Sequence, residues 1–262
     1  MPFISLTTDF GHAYTATCAG VIYTITPGAT VLTLSDEVPA YGIVEGAMLL
    51  RQALPYLPEG VHVGIVDPGV GTARRPIAMV TGRGDVLVGP DNGLLVPAAE
   101  KLGGPVRAHA IENPSYRLPG VSASFHGRDV FAPAAAHIAK GSDPADLGPE
   151  ITDPLPLDLP APAIGNGELR APILYVDRFG SLILNATTAD LEAALGPTPH
   201  GTQLSVDGAP VPYAATYGMV PKNHPLVWED SSGLLGVAVN QGSAAKRFGL
   251  GGGDVVTLRR AQ

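Results

Sequence analysis

The sequence predicts an α/β protein with two parts: an N-terminal α/β domain whose central, mostly parallel sheet is flanked by helices, and a smaller, mainly antiparallel β domain. Two observations predict this fold. Up to about residue 140, short β-branched runs alternate with longer segments of helical spacing, which is typical of βαβ layers. A proline-rich segment follows, and after it the chain has only short alternating runs separated by glycines. We therefore expect an N-terminal domain over 1–150, a linker over 151–168 and a C-terminal β domain over 169–262.

Each element of the N-terminal part follows from its residue pattern. Runs of β-branched and aliphatic residues predict strands, whereas apolar residues three or four positions apart predict helices. In chain order we predict a strand over 3–8, a helix over 14–25, a strand over 30–34, a helix over 42–54, strands over 61–66, 77–81 and 85–88, and a helix over 131–138.

Proline density marks the break between the two parts. The segment 141–164 contains proline after Asp143, Gly148, Asp153, Leu155, Leu159 and Ala161. Proline lacks the backbone donor that helix interiors and central strands need, so we expect a linker here. Beyond it, short runs predict strands over 174–177, 182–185, 203–206, 226–228, 235–239 and 255–258.

Composition limits the function classes. Of 262 residues, 45% are hydrophobic and 15% are charged, and the formal net charge is −8. A basic stripe for nucleic acid is missing, and no apolar run approaches the ~20 residues of a membrane helix. The N-terminus lacks the pattern of a secretory signal, and Cys18 is the only cysteine. We expect a cytoplasmic protein without an internal disulfide, in which Cys18 is a buried apolar residue.

The first candidate site is the loop over 66–75, with the sequence V-D-P-G-V-G-T-A-R-R, which follows the predicted strand over 61–66. It places Asp67 at the carboxyl end of that strand, then a glycine-rich turn, then Arg74 and Arg75. Ligands of open α/β sheets bind beyond the carboxyl ends of the strands, so this loop is predicted to form a binding site.

Other polar residues have both a functional and a structural interpretation. Asp9 ends the first strand, where a carboxylate either binds a ribose diol or caps the next helix. Asp91 lies in the turn-forming run G-P-D-N-G, and Asp129 occupies a position typical of a helix cap. His126 precedes the same helix and is either a hydrogen-bonded structural residue or a site residue.

Cofactor and metal motifs are missing from the sequence. Neither G-x-G-x-x-G after the first strand nor G-x-x-x-x-G-K-[ST] occurs, so no pyrophosphate cofactor is indicated. The ligand types for a metal are present as scattered aspartates and His126, but no H-x-x-x-H, H-E-x-x-H or Cys/His cluster supports a metal site. We expect neither a cofactor nor a metal.

Six motifs together resemble one family in order and spacing. They are T-T-D-F-G at 7–11, V-D-P-G-V-G-T-A-R-R at 66–75, P-D-N-G-L-L at 90–95, S-F-H-G-R-D-V-F-A-P-A-A-A at 124–136, D-R-F-G at 177–180 and V-N-Q-G-S-A-A at 239–245. The sequence thereby resembles the S-adenosyl-L-methionine hydroxide adenosyltransferases, also called S-adenosylmethionine hydrolases, which are relatives of fluorinases and chlorinases. The resemblance implies a homotrimer whose sites lie between one subunit's N-terminal domain and a neighbour's C-terminal domain.

The implied reaction is attack of water on the ribose C5′ of S-adenosyl-L-methionine, which releases adenosine and L-methionine. The resemblance assigns an Asp, Arg and His set to this step, matching Asp67, Arg74 and His126. Arginine stays charged and favours a developing hydroxide, the imidazole holds the water or accepts its proton, and Asp67 orients them. Arg75 is the alternative guanidinium.

The resemblance also implies residues that bind the substrate. Asp9 corresponds to the ribose ligand and Tyr41 to an aromatic that packs over the nucleoside. From the second domain, the implied residues are Asp177 for the ammonium, Phe179 in the same motif, Ser231 and Ser232 for the carboxylate, and Asn240 with nearby backbone for adenine. The chain departs from the family pattern in a shorter 11–14 loop containing His12, and in Ser181 where asparagine is common.

Two other functions remain as alternatives. Halide transfer would give a 5′-halo-5′-deoxyadenosine, but a carboxylate such as Asp67 repels an anion. A non-catalytic S-adenosylmethionine or nucleoside sensor would keep the pocket without the reaction, and the presence of Asp67, Arg74 and His126 argues against it.

Overall fold

A computed structural model describes residues 1–165 and 167–261 of the chain. Its residue contacts divide the protein into two compact units, Met1–Asp158 and Leu159–Gln262. The division falls inside the segment for which the sequence predicts a linker.

The first unit is a seven-stranded sheet with helices. Its strands are β1 Phe3–Thr8, β2 Thr30–Ser35, β3 Val61–Ile65, β4 Pro76–Thr81, β5 Val86–Pro90, β6 Pro105–Ala110 and β7 Glu150–Ile151. Its α-helices are α1 His12–Ile25, α2 Ile43–Ala53, α3 Val96–Lys101 and α4 Ala132–Ala139. The strand order is β2-β1-β3-β5-β4-β6-β7, in which the first four strands are parallel and the remaining pairings are antiparallel.

The central strands lie inside the unit because their residues are apolar on both faces. Every residue of β3 and β5 is buried, as expected for parallel strands that helices cover on both sides. α1 packs against α4, and α2 packs against α3. Since Thr8 pairs with Ile65 in register, the loops that follow β1 and β3 leave the same edge of the sheet. The fold therefore places Asp9 and Asp67 at one edge.

The second unit is an antiparallel β structure. Its strands are β8 Ala163–Gly165, β9 Glu168–Val176, β10 Leu182–Leu184, β11 Gln203–Val206, β12 Ala209–Pro212, β13 Pro225–Glu229, β14 Leu235–Val239 and β15 Val255–Arg260. They follow the order β12-β11-β15-β9-β10-β14-β13, with β8 on β9. Two short helices accompany them, α5 Thr188–Leu195 and α6 Ala244–Phe248. The predicted fold class is confirmed.

Several details differ from the sequence prediction. The proline-rich segment 141–164 contains a 3₁₀ turn over Pro144–Leu147 and the short strand β7, and β8 begins at its end. β7 lies at the end of its sheet, where a strand needs hydrogen bonds on one side only. The helix expected over 131–138 is preceded by a π-helical turn over Gly127–Phe131. Among the described residues, no helix combines the length and apolarity needed to span a membrane.

Candidate active site

Asp67, Arg74 and His126 form one cluster in the first unit. Arg74 Nε donates to Asp67 Oδ1 at 3.1 Å, and Arg74 Nη2 donates to Asp67 Oδ2. The same Nη2 lies 3.2 Å from His126 Nδ1. Asp67 lies just after β3, whereas His126 directly precedes the π-helical turn, a feature that is frequent at functional sites. The fold thus brings together the three residues for which the resemblance implies catalysis.

The charged pair in this cluster is buried. The side chains of Arg74 and Asp67 are only 7% and 6% exposed, and Arg74 Cζ lies 5.3 Å from the centroid of the Phe131 ring. Arg74 Nη1 is also buried and has no hydrogen-bond partner among the described residues. A buried guanidinium with an unused donor stabilises negative charge strongly in such an environment.

The hydrogen bond from Arg74 determines the protonation state of His126. Arginine only donates, so His126 Nδ1 accepts and the neutral ring carries its proton on Nε2. Burial lowers the pKa of His126 below its ordinary value of 6.5, and the charge of Arg74 lowers this pKa further. The imidazole is therefore neutral near pH 7 and presents Nε2–H as a hydrogen-bond donor.

A small cavity of about 70 Å³ adjoins this cluster. Its lining residues are Asp9, Phe10, Ile65, Asp67, Val70, Ser124, Phe125, His126 and Gly127. Since a water needs roughly 10–15 Å³ of such volume, the cavity has room for a few waters. It is far smaller than the ~300 Å³ or more of a typical small-molecule pocket. Phe10 and Phe125 pack edge to face with ring centroids 5.7 Å apart, which gives the cavity an apolar wall.

Asp9 and Tyr41, both implied to bind the nucleoside, lie side by side. The backbone N–H of Tyr41 donates to Asp9 Oδ2 at 2.9 Å. Tyr41 has a φ of 64° and is 75% exposed. The alternative interpretation of Asp9 as a helix cap is wrong, because α1 begins after Gly11 and has no side-chain cap. The carboxylate of Asp9, which lines the small cavity, thus holds the backbone of Tyr41 in place.

The side chain of Arg75 contacts other residues than the side chain of Arg74 does. Its guanidinium pairs with Asp91 and with Asp153, and Asp91 is only 2% exposed. The structure thus places Arg74, and not Arg75, next to Asp67 and His126. Asp91 occupies the turn that the sequence predicts, and its buried carboxylate in addition pairs with the partly exposed Arg75.

The loop after β9 in the second unit is held by Asp177. Asp177 Oδ1 accepts the backbone N–H groups of Phe179 at 2.9 Å and Ser181 at 2.7 Å. Gly180 has a φ of 85°, and a Cβ at this position would lie 2.2 Å from Ser243 Oγ. Only glycine allows this close approach, which joins the D-R-F-G loop to the V-N-Q-G-S loop.

These two loops border a pocket of the second unit with a volume of about 510 Å³. Its lining residues are Phe179, Ser181, Tyr217, Val239, Asn240, Gln241, Gly242 and Ser243. The volume suits a nucleoside-sized ligand. Phe179 is 75% exposed, so its ring face is open. The side chain of Asn240 donates through Nδ2 to the carbonyl of Val220 at 2.8 Å.

The remaining implied contacts lie outside that pocket lining. Ser232 donates through its backbone N and its Oγ to Asp230 Oδ1, at 2.8 and 2.6 Å, and Ser231 is exposed. Asp177, Ser231 and Ser232 are absent from the lining residues. The sequence analysis did not single out Tyr217, Gln241 or Ser243; the last two lie in the V-N-Q-G-S motif, whereas Tyr217 is in no motif.

Other candidates have structural roles. Burial raises the pKa of the Cys18 thiol to about 12, which makes it a poor nucleophile. His12 contacts Asp36 at 3.0 Å on the surface, where its side chain is 88% exposed. Within residues 1–165 and 167–261, no group of three or more His, Cys, Asp or Glu residues could hold a metal ion.

Both units match models of one protein family. Residues 4–148 match the SAM hydroxide adenosyltransferase N-terminal domain, and residues 171–257 match the SAM hydroxide adenosyltransferase C-terminal domain. The chain belongs to the SAM hydroxide adenosyltransferase family. It is 45% identical to an (R)-S-adenosyl-L-methionine hydrolase of Salinispora arenicola, over 97% of this chain and 96% of that protein.

Further similar proteins extend the comparison. An (R)-S-adenosyl-L-methionine hydrolase of Thermus thermophilus is 44% identical over 95% of this chain and 96% of its own length. The crystal structure of an uncharacterized conserved protein from Thermotoga maritima superimposes with a TM-score of 0.87 at 30% identity, covering 98% of this chain and 100% of that chain. A fluorinase of Actinoplanes is more distant, at 26% identity over 99% of this chain and 98% of that protein.

Proposed function

We propose that this protein hydrolyses S-adenosyl-L-methionine to adenosine and L-methionine. The observation that carries the proposal is the buried Asp67–Arg74–His126 cluster beside a cavity that holds only a few waters. Water forms a bond from its oxygen to the ribose C5′ while the C5′–S bond breaks. The electron pair of that bond goes to sulfur, which leaves as the neutral thioether of methionine, so no acid is needed on the leaving-group side.

The cluster supplies what the attacking water needs. His126 Nε2–H donates to the water oxygen and holds it in position, because Nδ1 is occupied by Arg74. The charge of Arg74 lowers the energy of the developing hydroxide. Asp67, which lines the same cavity, is the carboxylate within this group that takes the proton released by the water. Holding the water in line with the C–S bond accounts for much of the rate.

We infer the sulfonium configuration of the substrate from the names of the relatives. Two hydrolases 44–45% identical to this chain carry the (R) descriptor in their names, and we propose that this protein likewise acts on (R)-S-adenosyl-L-methionine. Separate incubation with the two sulfonium epimers tests this proposal. Preferential consumption of the (R) epimer is expected, and equal rates with both epimers would refute the assignment.

Halide transfer is the main rival reaction. Its test is chromatography of the products formed from S-adenosyl-L-methionine with and without chloride or fluoride. We expect adenosine and methionine in equal amounts under every condition, because an anion beside Asp67 would be repelled. A halogenated nucleoside would identify a halide transferase instead, and unchanged substrate would identify a binding protein.

The proposal also covers the compartment, the oligomeric state and the cofactor requirement. We propose a cytoplasmic homotrimer that needs no cofactor and no metal, whose nucleoside contacts include Asp9 and Tyr41 from one subunit and Phe179 and Asn240 from a neighbour. Mixing two variants that are expected to be inactive, His126→Ala and Asn240→Trp, tests the shared site, because Asn240 lines the pocket of the second unit and a tryptophan there fills it. Recovery of activity after subunits are exchanged is the expected result, and a monomer by light scattering would contradict it.

A further inference from the structure

The turn after β5 contacts both ends of the loop that carries Asp67 and Arg74. Asn92 Nδ2 donates to the carbonyl of Val66 at 2.9 Å, immediately before Asp67. At the other end, Arg75 Nε donates to Asp91 Oδ2 at 2.8 Å, immediately after Arg74. Two adjacent residues of one turn therefore hold the first and last residues of the 66–75 loop.

At the Arg75 end of the loop, further hydrogen bonds fix the buried partner, Asp91. The backbone N of Asp91 donates to the carbonyl of Arg75 at 2.9 Å. Asp91 Oδ1 accepts the backbone N–H of Leu155 at 2.8 Å, so both carboxylate oxygens have partners. Because the side chain of Asp91 is only 2% exposed, the Arg75–Asp91 pair is fixed in place on its buried side.

The backbone hydrogen bonds inside this loop are short-range. Val70 N donates to the carbonyl of Asp67 at 3.2 Å, and Thr72 N donates to the carbonyl of Gly69 at 3.2 Å. Such turns define local shape, and Arg74 bonds Asp67 directly. The position of this pair relative to the sheet depends in addition on the two ends of the loop, Val66 and Arg75, which Asn92 and Asp91 hold.

We propose that Asp91 and Asn92 are positioning residues for the reaction, which act by clamping the two ends of the Asp67–Arg74 loop. This inference rests on the proposed function. The clamp holds Arg74 where it bonds Asp67 and His126 at once, and a displacement of about 1 Å in such a group costs up to ~10²-fold in rate.

Isosteric substitutions test the clamp. Asp91→Asn removes the charge that holds Arg75, and Asn92→Asp removes the donor to Val66 while keeping the shape. Matched controls exist in the same unit. Asp153→Asn alters the exposed partner of the same Arg75, and Asn113→Asp alters an asparagine with the same bonding pattern: Oδ1 accepts from the residue two positions on, and Nδ2 donates to a distant carbonyl.

We expect both clamp variants to lower kcat by about 10- to 100-fold with little change in KM, while both controls keep the wild-type kcat. If Asp91 and Asn92 had a purely structural role, their substitution would lower thermal stability without a selective decrease in kcat. The second readout is the pKa of His126, measured by NMR with labelled histidine and assigned with a His126→Gln variant. It is expected to rise in the clamp variants, because the Arg74 bond to Nδ1 favours the neutral ring.

Unchanged kcat and unchanged His126 titration in folded Asn92→Asp or Asp91→Asn protein would overturn the clamp. If Asp91→Asn fails to fold, Asn92→Asp alone decides. Failure of the proposed function is separate, since it would appear as a wild-type protein that forms no adenosine. The His126 titration would still decide the clamp in that case.

Discussion

Arg74 Nη2 lies 3.2 Å from His126 Nδ1, and this contact defines the part that the imidazole plays. An arginine that bonds Nδ1 leaves Nε2 as a donor. In the proposed mechanism, His126 therefore holds the water through Nε2–H and does not remove a proton from it. Of the two roles that the sequence leaves open for His126, the geometry favours the first.

The two amide substitutions of His126 separate these nitrogens. Glutamine places an amide near the position of Nε2, whereas asparagine places one near Nδ1. We expect His126→Gln to retain more kcat than His126→Asn, and both to lose at least about 10²-fold relative to wild type. Steady-state kinetics of the two purified variants measure the difference. Equal losses, or a better asparagine variant, would show that Nε2 is not the working atom.

The pH profile follows from the lowered pKa of His126. Protonation at Nδ1 breaks the bond from Arg74, so activity requires the neutral ring. Because burial, followed by Arg74, lowers this pKa below 6.5, kcat/KM is expected to be constant from pH 7 upward to 8.5 and to fall only on acidification below 6.5. Initial rates across this range test the prediction. An acid limb centred above pH 7 would contradict it.

Removing the charge of Arg74 tests the electrostatic part of the account. Arg74→Met keeps much of the side-chain volume against Phe131 but leaves Asp67 buried without a partner. We expect a loss of kcat of ~10²-fold or more and a loss of folding stability of about 3–5 kcal/mol. Rates and urea unfolding of the same sample measure both effects. An active, fully stable Arg74→Met protein would exclude Arg74 from the site.

Phe179 provides a prediction about substrate binding. Its ring is exposed on the 510 Å³ pocket of the second unit, far along the chain from the water site. Phe179→Ala is expected to raise KM by about 10-fold, since an aromatic contact adds roughly 0.5–1.5 kcal/mol to area burial, while kcat stays within a factor of about two. Val255→Ala is the control, because Val255 in the same unit is also exposed but is not among the residues that line this pocket. A fall in kcat with constant KM would contradict a binding role.

A buried Ser5–His62–Asp85 chain predicts acid sensitivity of the first unit. Ser5 Oγ lies 2.8 Å from His62 Nδ1, and His62 Nε2 lies 3.0 Å from Asp85 Oδ1. Burial lowers the pKa of His62 below 6.5, so the unfolded chain binds the proton more readily. The stability that a neutral His62 contributes is present above pH 6.5 and lost as pH falls below it.

We therefore expect the unfolding free energy of the first unit to decrease between pH 7 and pH 5. His62→Gln should lessen this slope by up to about 1.4 kcal/mol per pH unit. Hydrogen exchange of peptides from β1 and β3 is the suitable measurement, because Trp228, the only tryptophan, lies in the second unit. An unchanged slope in His62→Gln would contradict the prediction.

The spacing of apolar residues predicted a strand or helix correctly where the same residues are buried in the folded protein. The strands β1 and β3 are rich in β-branched and aliphatic residues, so their positions followed from the sequence. Helix α5 was missed although Thr187 and Asp190 form a capping box, because its apolar spacing covers only two turns. Strand β7 has two residues and exists through its partner in the sheet, which no local pattern reveals.

The site was predicted in part. Residue types and motifs gave Asp67, Arg74 and His126, but neither spacing nor composition shows which arginine faces the histidine. That choice depends on Asp91, a buried carboxylate 16 residues from Arg75 in sequence, which takes Arg75 away from the cluster. Tyr217 was missed because a single aromatic residue in a short 3₁₀ turn carries no pattern.

The most direct test of the central claim is hydrolysis of S-adenosyl-L-methionine in ¹⁸O-labelled water, followed by mass spectrometry of both products. Attack of water at C5′ predicts one heavy oxygen in the 5′-hydroxyl of adenosine and none in methionine. Adenosine without the label, or no adenosine at all, would contradict the account.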